Sequence, residues 1–135
     1  VLAVSSEGLS TPKVFATLDE LRETNPELPR AGAVDALADA LLTGDPEQVA
    51  PHLVNDLQAA AVALRTGLQD ILNAGIHAGA LNGIVSGSGP TCAFLCRDAT
   101  HAEQVAARLR AEKVADAIYT TYGPVAGAHL ITNES

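Results

Sequence analysis

Methionine is absent from the 135 residues, and aromatic side chains are nearly so: Phe15, Phe94, Tyr119 and Tyr122 are the whole stock. Lysine occurs only as Lys13 and Lys113, at opposite ends of the chain, and the formal net charge is −8. Nucleic acids and anionic membranes both select a basic face, so this balance argues against either partner. Any phosphate held here must rely on backbone amides and helix ends rather than on a lysine cluster. No apolar run approaches the roughly 20 residues that cross a bilayer, and no basic-then-apolar signal opens the chain. A soluble, cytoplasmic protein is the expectation. Cys92 and Cys96 are the only cysteines. Four apart on a strand they stand roughly 13 Å from each other, too far for a disulfide. His52, His77, His101 and His129 are too scattered for a zinc site, and buried thiols in a reducing compartment are expected.

What is present is apolar substance: 47% hydrophobic against 18% charged, enough for one globular domain with a core. The chain opens on Val1-Leu-Ala-Val4, already strand-like. Excision of a methionine before valine and a cut from a longer protein both account for that opening.

The element pattern is irregular but legible. Val1–Ser5 reads as a buried strand. Thr11 is placed as an N-cap with Pro12 as first helical residue, and Val14, Leu18 and Leu21 give one apolar face through about Arg22. A second helix is expected over about Ala31–Leu42, with Val34, Leu37, Ala38, Leu41 and Leu42 inward and Gly44 beyond its end. Asp45-Pro-Glu-Gln48 caps a short helix to about His52. Asn55 or Asp56 caps a long third helix, on which Leu57, Ala60, Ala61, Leu64, Leu68, Ile71 and Leu72 run to Gly75. Thr100-His-Ala-Glu103 reads as a capping box for a helix burying Val105, Ala106 and Leu109. Closing strands are expected over Asp116–Thr121 and Ala126–Ile131, with a turn at Tyr122-Gly-Pro124. The order gives an α+β domain, a mainly antiparallel sheet of four to five strands with helices packed on one side.

At the centre lies Ile84-Val85-Ser86-Gly87-Ser88-Gly89-Pro90-Thr91-Cys92, two apolar runs flanking a glycine-bearing loop. Gly87 and Gly89 permit backbone angles closed to other residues and close approach of a ligand. Successive N–H groups in such a loop can converge on an anion, with Ser88 and Thr91 adding hydroxyls. The alternative is a tight turn that needs glycine for geometry alone.

Ser86-Gly-Ser-Gly-Pro-Thr-Cys-Ala-Phe94 resembles the third, C-terminal glycine motif of the GHMP kinases. Gly8-Leu-Ser-Thr-Pro-Lys-Val-Phe15 and Asn55-Asp-Leu57 resemble the branch that phosphorylates diphosphocytidyl-methylerythritol in non-mevalonate isoprenoid synthesis. The resemblance covers the whole chain but only the C-terminal half of that family. It implies a C-terminal domain over residues 1–135 and a missing N-terminal kinase domain. It also implies ATP with Mg²⁺ as cofactors of the complete enzyme, and a cytidyl-linked sugar alcohol as substrate. The surface that met the missing domain is expected to be apolar and to invite self-association, a homodimer being one outcome.

By the same resemblance, Gly87, Ser88, Gly89, Pro90 and Thr91 form a phosphate loop, and Thr11 and Phe15 contact the cytidine end of the substrate. Phe15 stands one position off its helix's apolar stripe, which fits peripheral core packing as well as a stacking platform. Thr11 is either cap or contact. No segment matches the family's main ATP loop, catalytic aspartate or lysine partner, and Asp56 beside Asn55 reads as a cap before it reads as a base. No catalytic residue and no metal ligand is assigned. The isolated chain is expected to lack kinase activity. The C-terminal domain of a homoserine- or mevalonate-type kinase, and a freestanding α+β binding or dimerisation module, are the alternatives.

Overall fold

The computed structural model describes residues 1–130. Strand β1 (Leu2–Val4) leads into helix α1 (Thr11–Thr24), followed by α2 (Asp35–Thr43), the single turn α3 (Pro46–Val49) and a 3₁₀ turn at Ala50–His52. Helices α4 (Gln58–Leu64) and α5 (Gly67–His77) precede the hairpin β2 (Asn82–Val85) and β3 (Cys92–Leu95), and the chain continues through α6 (Ala99–Glu112) to β4 (Ala117–Tyr119). The four strands form one antiparallel sheet in the order β2-β3-β1-β4. Leu2 pairs with Ala93 on one side and Tyr119 on the other, so the first strand lies mid-sheet. Strand–helix–strand–strand–helix–strand in this order is a ferredoxin-like, split βαβ arrangement, and the expected α+β class holds.

Period-two alternation divides the sheet into faces. Ala3, Cys92 and Phe94 turn into one core with Val14 and Leu18 of α1, Leu68, Ile71 and Leu72 of α5, and Val105 and Leu109 of α6. Phe94 sits against two glycines, Gly75 of α5 and Gly83 of β2. A Cβ on Gly75 would fall 2.0 Å from the Phe94 ring, and one on Gly83 2.6 Å away. Gly75 therefore lies inside α5 as the seat of an aromatic ring and does not end the helix as its position suggests. The outer face, with Leu2, Ala93 and Leu95, lines an open cleft of about 950 Å³ together with Leu41, Pro46 and Val49.

Several local expectations need correction. Ser10, not Thr11, is the N-cap of α1, and Thr11 is already helical. Most apolar residues in and just before α2 do not face inward: Val34 is 70% and Leu42 86% exposed, Ala38 and Leu41 are also exposed, Leu37 is half-buried, and only Ala40 is buried. Its periodicity is genuine, but no element of the described chain covers it. The long third helix is two, broken at Arg65–Thr66 with Arg65 as the C-cap of α4. Asp98, whose carboxylate accepts from the His101 N–H at 2.7 Å, caps α6 in place of Thr100. Residues 126–130 form no strand, and Ile131, the end of the second expected closing strand, lies outside the described residues. Gly44 does close α2 in the left-handed region, and Asp45 caps α3 through the Glu47 N–H at 2.9 Å.

Candidate phosphate loop and substrate face

The hairpin register pairs Val85 with Cys92, leaving Ser86 to Thr91 as the connecting loop. Its closing bond runs from the Ser86 N–H to the Thr91 carbonyl at 2.8 Å, and a tighter one from the Gly89 N–H to the Ser86 carbonyl at 2.9 Å. Gly87 (φ +56°) and Gly89 (φ +78°) are both left-handed, the region in which an L side chain is strained. Space distinguishes them. A Cβ on Gly87 would meet nothing within 4 Å, whereas one on Gly89 would press on Val85 at 3.0 Å and Leu9 at 3.4 Å. Gly89 is thus bound into the packing and Gly87 lies at the open rim.

The bonding corrects the picture of a continuous row of free amides. Gly89 spends its N–H inside the turn, and Pro90 has none. Among the described residues no acceptor bonds the N–H groups of Gly87 and Ser88. The Thr91 N–H has none either, so these three amides, with the Thr91 hydroxyl, are the donors left for an anion. At the base of the loop, burial pushes the Cys92 thiol up to about 11 against a small opposing pull from Arg65. The floor of the loop therefore carries no thiolate at neutral pH.

Thr11 and Phe15 are one helical turn apart on α1, on one face by their spacing. Thr11 is exposed, and its Oγ1 lies 2.8 Å from Ser88 Oγ. Phe15 is 51% exposed, so it is no part of the core. The start of α1 and the tip of the glycine loop, far apart in sequence, thus meet through two of the residues singled out for ligand contact. Pro90, half-buried, turns the chain back toward β3.

Asp56 is neither cap nor free base. It accepts from Arg22 at 3.0 Å and from the Ala31 N–H. That backbone bond first, and the Arg22 guanidinium after it, hold its carboxyl below the usual range. The residue missed is Asn55. Its Oδ1 accepts from the Leu57 N–H at 3.1 Å, as a cap would, but its Nδ2 donates to Val85 O at 2.7 Å and Gly87 O at 2.8 Å. The signal available was its place in the Asn55-Asp-Leu57 motif. A contact to residues 30 and more positions later carries no local pattern.

The family model for the C-terminal part of GHMP kinases matches residues 37–115, spanning α2 to α6. The chain belongs to the GHMP kinase C-terminal family. Among curated relatives of this GHMP domain, the 4-diphosphocytidyl-2-C-methyl-D-erythritol kinase of Nocardia farcinica is 57% identical over all of this chain and 44% of its own length. The protein of that name from Mycobacterium tuberculosis is 48% identical over 98% of this chain and 41% of its own length. The chain thus spans less than half the length of these relatives. Among solved structures, a 4-(cytidine 5'-diphospho)-2C-methyl-D-erythritol kinase superposes with a TM-score of 0.63 at 25% identity, over 82% of this chain and 38% of its own. Mevalonate kinase of L. major in complex with R-mevalonate gives 0.65 at 19% identity, over 87% and 40%, and shares the fold.

Proposed function

We propose that this GHMP domain is the C-terminal, substrate-binding half of an ATP-dependent kinase that phosphorylates 4-diphosphocytidyl-2-C-methyl-D-erythritol in non-mevalonate isoprenoid precursor synthesis. The observation that carries the reading is the identity of 48–57% over essentially the whole chain to relatives bearing that kinase's name. The geometry fits it. Phe15 offers an exposed ring for a pyrimidine, Thr11 a hydroxyl one helical turn away, and the Gly87–Thr91 loop three amides and a hydroxyl for a phosphate. Thr11, freed from capping, serves as a substrate contact in this reading.

ATP and Mg²⁺ are the cofactors of the complete enzyme. The loop's donors fit a nucleotide or substrate phosphate. Among the described residues, however, no group of three or more His, Cys, Asp or Glu side chains could hold a metal. In this reading magnesium coordination and the base that takes the hydroxyl proton belong to the N-terminal half, because no segment of this chain resembles the family's main ATP loop, catalytic aspartate or lysine partner. Among the described residues no helix is long and apolar enough to cross a membrane.

The test is made on the full-length protein with Mg-ATP and 4-diphosphocytidyl-2-C-methyl-D-erythritol, homoserine or mevalonate, following ADP release. Turnover of the cytidyl substrate alone is expected, with none from the 135-residue chain by itself. Turnover of homoserine or mevalonate in its place would move the domain to another GHMP kinase. No turnover of any of the three would favour a binding or dimerisation module.

A further inference from the structure

Asn55 uses three of the four hydrogen bonds that a primary amide can make, one donor going to the last residue of β2 and the other into the glycine loop. The two acceptors are the carbonyls of Val85 and Gly87, on either side of the loop's first turn. A trans peptide keeps its C=O and N–H in one plane, pointing in opposite directions across the C–N bond. Fixing the Gly87 carbonyl on the Asn55 amide therefore turns the N–H of Ser88 the other way. The Val85 carbonyl does the same for the Ser86 N–H, which is found bonded to Thr91 O. The Ser88 N–H has no acceptor among the described residues.

We infer that Asn55 is a positioning residue that sets the direction of the Ser88 N–H and so keeps the loop in its anion-receiving form. Among the described residues no other bond reaches the Gly87 carbonyl: the Thr11 hydroxyl holds the Ser88 side chain, and the Gly89 N–H closes the turn on Ser86 O. Gly87 is left-handed with open space around it, so the Gly87–Ser88 peptide can rotate at little steric cost unless its oxygen is held. Gln58 bonds the same region, but through the Val85 N–H at 3.0 Å, which secures the strand and leaves the Gly87–Ser88 plane alone. The loop's consequence for phosphoryl transfer rests on the kinase reading above. The orientation of the peptide does not.

Asn55→Asp separates orientation from mere support. Aspartate keeps the shape and the acceptor for the Leu57 N–H, but it sets a carboxylate against two carbonyl oxygens. Rotation of the Gly87–Ser88 peptide relieves that repulsion and hands the Ser88 N–H to the carboxylate. In the 135-residue chain, amide exchange followed by NMR is expected to slow at Ser88 in Asn55→Asp by about tenfold or more, and not in Asn55→Ala. Unchanged Ser88 exchange in Asn55→Asp overturns the inference, whatever the activity of the enzyme.

In the complete kinase, Asn55→Asp is expected to melt no lower than Asn55→Ala yet to turn over about tenfold more slowly than it. A purely structural asparagine gives the reverse order, with activity following melting temperature, and that result also overturns the proposal. If the wild-type enzyme phosphorylates none of the three substrates, the kinase reading fails and the Ser88 exchange alone decides the role of Asn55.

Discussion

Thr11 Oγ1 and Ser88 Oγ stand 2.8 Å apart, joining the first turn of α1 to the tip of the glycine loop across 77 positions of sequence. A hydroxyl pair of this kind contributes about 0.5–1.5 kcal/mol when it forms on folding. Thr11→Val, Ser88→Ala and the double variant, unfolded with urea, should give a coupling energy in that range. The second substitution should cost almost nothing once the first is made. Full additivity of the two would show that the hydroxyls do not act on each other in solution.

Phe15 has half its surface in solvent, so Phe15→Leu should leave the melting temperature within a degree or two of wild type. If the ring stacks on the cytosine, the same substitution should weaken substrate binding by about 1–3 kcal/mol, roughly ten- to a hundredfold in KM, with KM for ATP nearly unchanged. Measuring both constants and the melt on one variant decides between a stacking platform and an idle surface aromatic.

Gly75→Ala should be far more costly than an ordinary glycine-to-alanine change in a helix. The helix itself gains up to about 1 kcal/mol from such a change. The new methyl, however, would sit 2.0 Å from a ring that is only 4% exposed, and displacing a packed side chain costs about 1–3 kcal/mol or more. Net destabilisation in urea is expected. Gly75→Ala combined with Phe94→Leu should recover part of it, because the smaller side chain vacates the contested space.

Signals of one or two turns were legible in the sequence. The apolar stripe of α1, the buried face of α6, the cap at Asp45 and the hairpin around Gly87 and Gly89 all depend on neighbours in sequence, and all are present. The errors share a cause. The stripe of α2 suggests an inward face because periodicity reports an apolar face without reporting what covers it. The stripes of α4 and α5 merge into one apparent helix, since the break at Arg65–Thr66 has neither proline nor glycine before Gly67 to mark it. Thr11 and Asp56 resemble caps because the residue types that cap also make long-range bonds, here between Thr11 and the Ser88 hydroxyl and to Asp56 from Arg22 and Ala31. Asn55 as loop holder, like Phe94 seated on Gly75, exists only once distant segments meet.

Asp56 predicts part of the acid limb of stability. Its carboxyl titrates lower in the folded chain than in the unfolded one, chiefly through the Ala31 N–H and then Arg22. A depressed folded pKa gives stability that is fully present above the unfolded value, near pH 4, and lost as pH falls through the folded value. Asp56→Asn should therefore melt lower than wild type at pH 6, with the gap closing toward pH 2.5. A gap independent of pH would assign the effect to packing.

The place of β1 in the middle of the sheet has a consequence for the order of assembly. Leu2 pairs with Ala93 and Tyr119, both about 90 or more positions later in sequence, so the central strand waits for most of the described domain. The β2–β3 hairpin needs only its own residues and closes on a microsecond scale, whereas contacts this distant in sequence slow folding. We predict that the glycine loop takes its shape before the sheet beneath it is complete. Pulse-labelled hydrogen exchange during refolding should show the amides paired between Val85 and Cys92 protected ahead of those between Leu2 and Ala93; simultaneous protection would contradict it. On this order the loop is a local product of the hairpin, and β1 locks in a shape already made.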